Sequence, residues 1–230
     1  MMENKENLKR KAAERAVDFI ESGMILGLGT GSTSKYVLEI LSEKLESGEL
    51  DNIIGIPTSN KTLEFAKSLN IPCGTLADYP QIDLTIDGAD EVDKKLNVIK
   101  GGGGAHLHEK IIVQASKFFI VIVDKSKLSQ YLGEKWPVPV EVIQKAAVCE
   151  IEYLKSLGAE VKYREIDNFR KYITDEGNYI LDANFGIIKN PKKLAKKLNK
   201  RAGIVEHGLF VDLTDLVISA SEDEIELINK

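Results

Sequence analysis

The chain has 230 residues, of which 43% are hydrophobic and 29% are charged. Domains commonly hold about 100 to 150 residues, so this length allows one large domain or a main domain with a smaller one. The net charge of −5 gives no general attraction to nucleic acid or to an anionic membrane, so an anionic ligand would have to be bound locally. The two cysteines, Cys73 and Cys149, stand far apart without flanking histidines, and we expect buried free thiols.

The amino-terminal segment lacks the apolar stretch of a signal peptide. No apolar run approaches the roughly 18 residues of a membrane-spanning helix. We therefore expect a cytoplasmic protein that does not act at a membrane.

Up to about residue 128, short apolar runs alternate with longer segments of helical periodicity. We predict helices at residues 8–20, 32–46, 59–69 and 108–117. We predict strands at residues 24–29, 52–56, 83–90, 97–100 and 118–124. This alternation is typical of an α/β fold with a mostly parallel sheet and helices on both faces, in which ligands bind at the carboxyl ends of the strands. The loops GTGST, DGADE, KGGGG and DKSK all follow predicted strands and are expected at that edge.

The alternation stops near Pro137 and Pro139, because two prolines within three residues disfavour a helix. The next predicted elements are a helix, two strands and a helix, at residues 144–158, 159–165, 178–186 and 190–200. Such a pattern is what a small ferredoxin-like insert shows. Strands in GIVEHGLF (203–210) and DLVISA (215–220) are then expected to return to the main sheet.

The segment GLGTGSTSK (27–35) runs from a predicted strand into a helix. It is not a dinucleotide fingerprint, because the third glycine is missing and Asp51 precedes the next strand instead of ending it. No GK[ST] follows as in a P-loop. The hydroxyls of Thr30, Ser32 and Thr33 and the free N–H groups of a helix start suit a phosphate monoester. The alternative is a capped helix with Ser32 or Thr33 as the N-cap.

The segment DGADEVD (87–93) follows an apolar strand with four carboxylates. The spacing of an EF-hand is absent, which disfavours a calcium loop. Asp87 and Asp90 leave the strand directly and flank Gly88, so they are candidates for ligand contacts. For Glu91 and Asp93 we expect a solvated acidic turn whose side chains bond their own backbone.

The segment KGGGGAHLHEK (100–110) sets four glycines after Lys100 and before Glu109. Glycines are expected where the backbone approaches a ligand or adopts positive φ. Glu109 should lie in the first turns of a helix and is a candidate base. The alternatives are dipole stabilisation by Glu109 and a solvated loop cation at Lys100. His106 and His108 would point to different sides of a helix and are not expected to bind a metal, and His207 is expected to be structural.

GLGTGSTSK, DGADEVD, KGGGGAHLHEK, DKSKLSQYLG and GIVEHGLF occur in the order seen in the ribose-5-phosphate isomerase type A family, which the chain resembles over nearly its whole length. The resemblance implies interconversion of D-ribose 5-phosphate and D-ribulose 5-phosphate in the non-oxidative pentose phosphate pathway, without a metal or redox cofactor. It implies a Rossmann-like three-layer α/β domain of residues 1–130 and 205–230 and a small ferredoxin-like domain of residues 131–204. It also implies a homodimer or homotetramer.

The resemblance also implies roles for individual residues. Glu109 would be the general base, Asp87 would assist ring opening, Lys100 and loop N–H groups would stabilise an oxyanion, and Asp90 would hold sugar hydroxyls. Lys127 would bind the phosphate, with Lys9 as a further cation for which Arg10 and Lys11 compete. The implied substrate-binding residues are Thr30, Gly31, Ser32, Thr33, Asp87, Gly88, Asp90, Lys100, Gly101, Gly102, Gly103, Lys127 and Lys9.

The chain departs from the family pattern at His108, where arginine is usual, and at His207, where asparagine is common. Two other classes of function compete with the isomerase. A sugar-phosphate-sensing regulator would need no base at position 109 and would commonly carry a DNA-binding region, for which this chain has no basic recognition segment. A coenzyme A transferase would use the glutamate as a nucleophile and form a thioester.

Overall fold

The protein is described by a computed structural model that covers residues 2–167 and 170–230. Its chain forms two compact units. Unit 1 holds the residues up to Ala89, His108–Lys127 and Leu213–Lys230, and unit 2 holds Asp90–Leu107 and Leu128–Asp212. The domain boundaries expected from the sequence, 1–130 with 205–230 and 131–204, stay a prediction.

The α-helices are α1 (Met2–Val17), α2 (Ser34–Glu46), α3 (Asn60–Ser68), α4 (His106–Gln114), α5 (Ala147–Ser156) and α6 (Pro191–Leu198). The first strands are β1 (Ile25–Leu28), β2 (Ile54–Pro57), β3 (Ile82–Gly88), β4 (Glu91–Val92), β5 (Val98–Ile99), β6 (Ser116–Asp124) and β7 (Val138–Val142). The later strands are β8 (Glu160–Tyr163), β9 (Glu165–Asp167), β10 (Arg170–Lys171), β11 (Tyr179–Asn184), β12 (Ile204–His207), β13 (Leu209–Phe210), β14 (Leu216–Ala220) and β15 (Ile225–Asn229). Short 3₁₀ helices are Lys125–Lys127 and Gln144–Ala146.

Unit 1 is built on a six-stranded sheet with the order β15-β14-β6-β3-β1-β2. Every neighbouring pair is parallel except β14 and β15. The chain goes from β1 to β2 on one side and to β3 on the other, so the strand order reverses between β1 and β3. In an open α/β sheet, a crevice forms at such a reversal outside the carboxyl ends of the strands. The expected α/β fold is therefore confirmed, and the loops after β1 and β3 lie at its switch point.

Both faces of this sheet are covered by helices. On one face, Ala12 and Ala16 of α1 and Leu41 of α2 share a buried cluster with Leu84 and Ile120 of the sheet. Ile112 of α4 belongs to a second cluster with Ile56 and Ile82. Each fully buried aliphatic side chain contributes about 1.5 to 3 kcal/mol to the stability of this layered arrangement.

Unit 2 contains an antiparallel four-stranded sheet with the order β12-β7-β11-β8. Along the chain its elements run β7, α5, β8, β11, α6, β12. This is the β-α-β-β-α-β arrangement of a ferredoxin-like fold, and it confirms the expected insert. Val138, Val140 and Val142 of β7 pack with Leu154 of α5 and Leu198 of α6 in one buried cluster.

Two predictions about strand pairing were wrong. Residues 203–210 do not return to the main sheet, because β12 pairs with β7 and β13 pairs with β5. The strand before the glycine loop, β5, also lies outside the main sheet and forms a three-stranded sheet with β4 and β13. Only two residues form β5, which is too short a segment for periodicity to indicate its partners. The loop KGGGG therefore follows a strand of unit 2.

Cys73 and Cys149 are both free thiols, as expected, but the prediction that they are buried was wrong: Cys73 is half-buried and Cys149 is exposed. Burial raises the pKa of the Cys73 thiol. Over the described ranges, no helix combines the length and the apolar character that crossing a bilayer requires.

Candidate active site

The carboxylate of Asp87 ties together the two loops at the switch point of unit 1. Asp87 is 0% exposed. Its Oδ1 accepts hydrogen bonds from the Thr30 N–H at 3.1 Å, the Ser34 hydroxyl at 2.9 Å and the Gly88 N–H at 2.7 Å. A buried carboxylate needs such donors, because burying an unpaired charge costs a large amount of free energy. The loop after β1 and the loop after β3 are thus fixed on one oxygen atom.

The glycines of the loop after β1 allow this close approach. A Cβ at Gly29 would lie 2.3 Å from Asp87 Oδ1 and 2.6 Å from the Ile86 carbonyl oxygen. At Gly27 a Cβ would lie 1.9 Å from the Thr85 hydroxyl. Gly31 has φ +120°, a conformation that other residues resist. The first two glycines are needed for space and the third for its backbone angle.

The three hydroxyl residues predicted to bind phosphate occupy different environments. The Thr30 hydroxyl lies 2.8 Å from each hydroxyl of Thr58, Ser59 and Thr62. Ser32 is exposed and Thr33 is half-buried. Sequence reasoning missed the hydroxyl cluster, although Thr58 and Ser59 directly follow β2, whose end lies beside that of β1.

The alternative of a capped helix is confirmed for the N-cap residue, Thr33, and wrong for side-chain capping. Thr33 is the N-cap of α2, but its own backbone is helical and its side chain makes no capping hydrogen bond. The backbone N–H groups of Gly31, Ser32 and Thr33 form no hydrogen bond to any residue within 2–167 and 170–230. Free N–H groups at a helix start are an anion-binding arrangement.

Lys127 lies in the short helix that follows β6, the strand next to β3. Its side chain is half-buried. The turn that carries it is held by Asp124, whose Oδ1 accepts the Ser126 N–H at 3.0 Å. The ends of β1, β3 and β6 therefore bring GTGST, DGAD and DKSK to adjacent strands of one sheet edge.

Lys9 lies on α1, where its Nζ is 2.6 Å from Glu6 Oε1. The second oxygen of Glu6 accepts the Tyr36 hydroxyl at 2.7 Å. The hydrogen bond from Lys9 lowers the pKa of Glu6. Of the competing cations, Arg10 pairs with Glu14, and Lys11 donates to the Glu222 carbonyl at 3.4 Å. The role of Lys9 in phosphate binding stays a prediction.

Glu109 lies in the first turn of α4 and is 3% exposed. Its position agrees with the expected helix start, so dipole stabilisation still applies to it. An exposed carboxylate in the first turn would stabilise the helix dipole equally well without the free-energy cost of burial. Dipole stabilisation alone therefore does not explain why Glu109 is buried. The preceding His108, at the position where the sequence departs from the family pattern, is half-buried.

Lys100 was considered as a solvated loop cation, and this alternative was wrong. Its side chain is 2% exposed, and Nζ lies 5.8 Å from the centroid of the Phe210 ring. Its backbone N–H donates to the Gly208 carbonyl at 2.9 Å. The Lys100 side chain is therefore removed from solvent and lies near an aromatic ring.

The glycine loop of unit 2 folds into a tight turn. Gly101 and Gly104 have φ of +98° and +83°, and the Gly104 N–H donates to the Gly101 carbonyl at 3.0 Å. The Gly102 N–H donates to Asp90 Oδ2 at 2.7 Å. Asp90 is thus engaged by the loop, and its predicted contact with sugar hydroxyls would use its remaining acceptor capacity.

Sequence reasoning missed two side chains that hold this loop. Arg164 donates to the carbonyls of Gly101 and Gly102, and Tyr172 donates to that of Gly103. They lie 63 and 69 residues further along the chain than their first partners. No local pattern links positions that far apart.

The expectation of a solvated acidic turn was wrong for Glu91. This residue is 0% exposed, and its carboxylate accepts the backbone N–H groups of residues 133–136 at 2.8 to 3.3 Å. Asp93 is also buried, but it does bond its own turn, since Oδ1 accepts the N–H groups of Lys95 and Asn97. Both carboxylates stabilise the backbone of unit 2.

That the three histidines bind no metal stays a prediction. Among the residues that the structure describes, no three His, Cys, Asp or Glu side chains are grouped so that they could hold a metal ion. His207 is buried, and its Nδ1 accepts the Leu209 N–H at 3.3 Å, as suits a structural histidine. His106 is buried against Gly101, where an added Cβ would lie 2.7 Å from Nδ1.

Comparison with known proteins identifies the family. Residues 54–224 match the family described as ribose 5-phosphate isomerase A (phosphoriboisomerase A). The chain is 48% identical to ribose-5-phosphate isomerase A of Desulfatibacillum aliphaticivorans over 97% of both chains. A solved D-ribose-5-phosphate isomerase in complex with phospho-erythronic acid superposes with a TM-score of 0.97 at 42% identity, covering 99% of this chain and 100% of that one. The enzyme of Plasmodium falciparum gives a TM-score of 0.94 at 39% identity, covering 98% and 99%. The chain belongs to the ribose 5-phosphate isomerase A family.

Proposed function

We propose that this chain interconverts D-ribose 5-phosphate and D-ribulose 5-phosphate in the non-oxidative pentose phosphate pathway, with Glu109 as the general base. Family membership over nearly the whole length supports the reaction. The observation that supports the base is the burial of Glu109, 3% exposed, in the first turn of α4. A relative's complex with phospho-erythronic acid, a phosphorylated sugar acid, supports the ligand class.

The chemistry begins with an open-chain aldose. Asp87 assists the opening of the ring by handling the proton at the ring oxygen. Glu109 then removes the proton from C2, the electron pair forms the C1–C2 double bond, and the aldehyde oxygen becomes negative. Glu109 returns the proton to C1, and the hydroxyl proton on O2 is transferred to O1, which leaves the ketose. A positioned general base contributes about 10²- to 10⁴-fold to the rate of such a transfer.

Lys100 stabilises the enediolate oxygen, together with N–H groups of the glycine loop. Its burial supports this role, because a charge held away from water interacts more strongly and needs no reorganisation during the reaction. Asp90 holds sugar hydroxyls, and no metal or redox cofactor takes part.

The phosphate group is bound by Lys127 and by the loop of Gly31, Ser32 and Thr33, with Gly88 nearby on β3. The uncommitted N–H groups at the start of α2 support this assignment. The Thr30 hydroxyl has three hydroxyl neighbours already, so Thr30 contributes chiefly by holding the loop. Lys9 is a secondary candidate.

We further propose that the protein works in the cytoplasm as a homodimer or a homotetramer. Light scattering coupled to size-exclusion chromatography measures the assembly directly. A single species of 25.5 kDa at assay concentration would contradict the proposed assembly and leave the proposed reaction standing.

The first experiment is an isomerase assay on ribose 5-phosphate with EDTA present. Formation of ribulose 5-phosphate is the expected result. Binding of ribose 5-phosphate without turnover would instead support a sugar-phosphate sensor. Activity that appears only after a metal is restored would contradict the metal-free reaction.

The second experiment tests the base. Glu109→Gln should lower kcat by about 10²- to 10⁴-fold while ribose 5-phosphate still binds. Glu150→Gln is the matched control, because Glu150 is equally buried and lies in unit 2, where it forms an ion pair with Arg201. Undiminished turnover by Glu109→Gln, or an equal loss in both variants, would remove Glu109 as the base.

The third experiment tests the phosphate site. Lys127→Ala should raise KM about tenfold or more with a smaller change in kcat, since a charged hydrogen bond contributes about 1.5 to 3 kcal/mol. Lys125→Ala is the control, because Lys125 lies in the same short helix with its side chain exposed and 3.8 Å from Glu224. An unchanged KM for Lys127→Ala would contradict the assignment.

A further inference from the structure

The guanidinium group of Arg164 in unit 2 donates to three residues, Asp182, Gly101 and Gly102. Nε and Nη2 donate to the two oxygens of Asp182 at 3.1 and 2.5 Å, as a bidentate pair. Nη1 donates to the Gly101 carbonyl at 2.5 Å and to the Gly102 carbonyl at 3.2 Å. The side chain is 13% exposed. Asp182 therefore fixes the plane of the guanidinium, and that plane fixes two peptide groups of the glycine loop.

Tyr172 holds the next peptide group. Its hydroxyl donates to the Gly103 carbonyl at 3.2 Å, and its backbone N–H donates to the Arg164 carbonyl at 2.8 Å. A Cβ at Gly104 would lie 2.4 Å from the Tyr172 hydroxyl oxygen, so the ring packs directly on the loop. Burial raises the pKa of Tyr172, which keeps the hydroxyl protonated and able to donate at neutral pH. Three successive carbonyls thus accept from two side chains whose residues are also linked by a backbone hydrogen bond.

These contacts set the direction of the loop N–H groups. The peptide bonds are trans, and in a trans peptide the C=O and N–H of one plane point in opposite directions. The Gly102 N–H points to Asp90, and the Gly104 N–H points to the Gly101 carbonyl. The Gly103 N–H belongs to the peptide whose carbonyl Arg164 holds, so it points away from Arg164. It has no hydrogen bond to any residue that the structure describes.

Satisfaction of the carbonyls does not explain these contacts. Gly102 and Gly103 are exposed, and water would serve as a donor to their carbonyls. Ordering a residue's backbone costs about 1 to 2 kcal/mol, and glycine loses more conformational freedom than any other residue. A run of four glycines would sample many conformations without an external restraint. Arg164 and Tyr172 supply that restraint.

We propose that Arg164, oriented by Asp182, and Tyr172 are positioning residues that preorganise the loop of residues 101–103 for catalysis. This inference rests on the proposed isomerase function. Neither side chain handles the reacting proton. They hold the peptide planes so that the Gly103 N–H is directed in advance at the oxygen on which negative charge develops. Preorganised donors stabilise such an oxygen because they need no reorientation in the transition state.

The test compares Arg164→Lys and Tyr172→Phe with Arg201→Lys. Arg201 forms the same kind of fork in unit 2, with Nε and Nη2 donating to Glu150 at 2.9 and 3.1 Å, and within residues 2–167 and 170–230 it donates to no glycine carbonyl. Isomerase kinetics, thermal unfolding and hydrogen exchange of the amides of residues 102–104 are measured for each. The kinetic readout requires an active wild type; without activity the proposed function fails, whereas the exchange data still report whether the loop is held.

The expected result is a fall in kcat of about 10- to 100-fold for Arg164→Lys, with KM changed by less than about threefold, since small misplacements of catalytic groups have effects of this size. Tyr172→Phe should lower kcat less, and both should speed exchange in the loop. Arg201→Lys should lower the melting temperature but change neither kcat nor the exchange rate of the loop amides. An unchanged kcat and exchange rate in Arg164→Lys and Tyr172→Phe overturns the inference, as does an equal fall in Arg201→Lys. If Arg164→Lys does not fold, Tyr172→Phe alone decides.

Discussion

The two glycine loops of this protein are rigid for opposite reasons. The loop after β1, residues 29–33, is fixed through its donors, since the Thr30 N–H and the Ser34 hydroxyl end on the buried Asp87 carboxylate. The loop of residues 101–104 is fixed chiefly through its acceptors, since three carbonyls receive hydrogen bonds from Arg164 and Tyr172, while the Gly102 N–H donates to Asp90. A buried anion holds the first loop, and a cation and a phenol supply most of the hydrogen bonds that hold the second.

The glycines of the two loops therefore differ in what they contribute, because those of the first loop serve the packing of the fold and those of the second serve the reaction. Around Gly29 the fit is limited by the buried Asp87 carboxylate, which is fixed by three hydrogen bonds, and by the Ile86 carbonyl oxygen, which cannot move without disturbing β3. Around Gly102 it is limited by the end of the Asp90 side chain, which can rotate. We therefore expect substitutions in the first loop to act mainly on stability and substitutions in the second to act mainly on turnover.

The largest effect is expected at Gly29. In Gly29→Ala the new Cβ would lie 2.6 Å from the Ile86 carbonyl oxygen and 2.3 Å from Asp87 Oδ1, so the free energy of unfolding should fall by about 3 kcal/mol. Chemical denaturation measures the loss. Gly88→Ala is the control, because its Cβ would have no neighbour closer than 3.8 Å. Equal free energies of unfolding for the two variants would contradict the claim that substitutions in the first loop act mainly on stability.

The next effect is expected at Gly102. In Gly102→Ala the Cβ would lie 2.6 Å from Asp90 Oδ1, which displaces the Asp90 side chain and the hydrogen bond it accepts. Turnover should fall about tenfold, as expected for a small displacement of loop groups, with a loss of unfolding free energy below about 1 kcal/mol. Steady-state kinetics and denaturation of the same preparation measure both. A stability loss as large as that of Gly29→Ala would contradict the distinction between the loops.

A smaller effect is expected at Gly31, the exposed glycine with φ +120°. Nothing lies within 4 Å of a Cβ there, so Gly31→Ala should cost only backbone strain of about 1 kcal/mol. KM for ribose 5-phosphate should rise, because the N–H groups of the phosphate loop would shift. Gly23→Ala is matched, since Gly23 has φ +86°, equally open space and no place in either loop. The same KM in both variants would show that the loop geometry does not set phosphate affinity.

The smallest effect concerns Asp83, on the same strand as Asp87 but at its amino-terminal end. Its carboxylate accepts from Lys117 Nζ at 2.7 Å and from the Ile25 N–H at 2.8 Å, and these bonds lower its pKa. A lowered folded pKa means that the contribution to stability is present above the unfolded value of about 3.9 and is lost as the pH falls through the folded value.

Asp83→Asn should therefore lower the melting temperature slightly at pH 7 and progressively less on acidification. The half-exposed setting limits the effect to below about 1 kcal/mol. Melting curves of both proteins across the acid range measure the difference. A gap that widens toward low pH would contradict the sign, and would place the pH-sensitive carboxylate elsewhere.

The layered architecture of unit 1 could be predicted from the sequence because its elements are long and regular. Helical periodicity and apolar strands indicated β1, β3 and β6 correctly, and the parallel topology then placed GTGST, DGAD and DKSK at adjacent strand ends. The ferredoxin-like insert was also predictable, since its helices and its strand β11 are of ordinary length.

The surroundings of the second glycine loop could not be predicted, for three physical reasons. β4, β5 and β13 have two residues each, so they show no periodicity. Arg164 and Tyr172 reach the loop through contacts between positions far apart in the chain. Glu91 looked like part of a solvated charge run, because sequence does not reveal the four backbone N–H groups that surround it.

The position of β14 in the main sheet has a consequence for the order of folding. β14 pairs with β6 in the register Leu216↔Ile120, so during synthesis the apolar strand β6 has an open edge until residues beyond 215 emerge. An open apolar edge is a site for pairing with other chains. Folding of unit 2 shortens the exposure, because Val92 bridges Leu128 and the Asp212 N–H donates to Asn97 within that unit. The two ends of the segment between β6 and β14, residues 125–215, are thereby held near the hairpin of β4 and β5. This reduces the chain entropy that is lost when β14 pairs with β6.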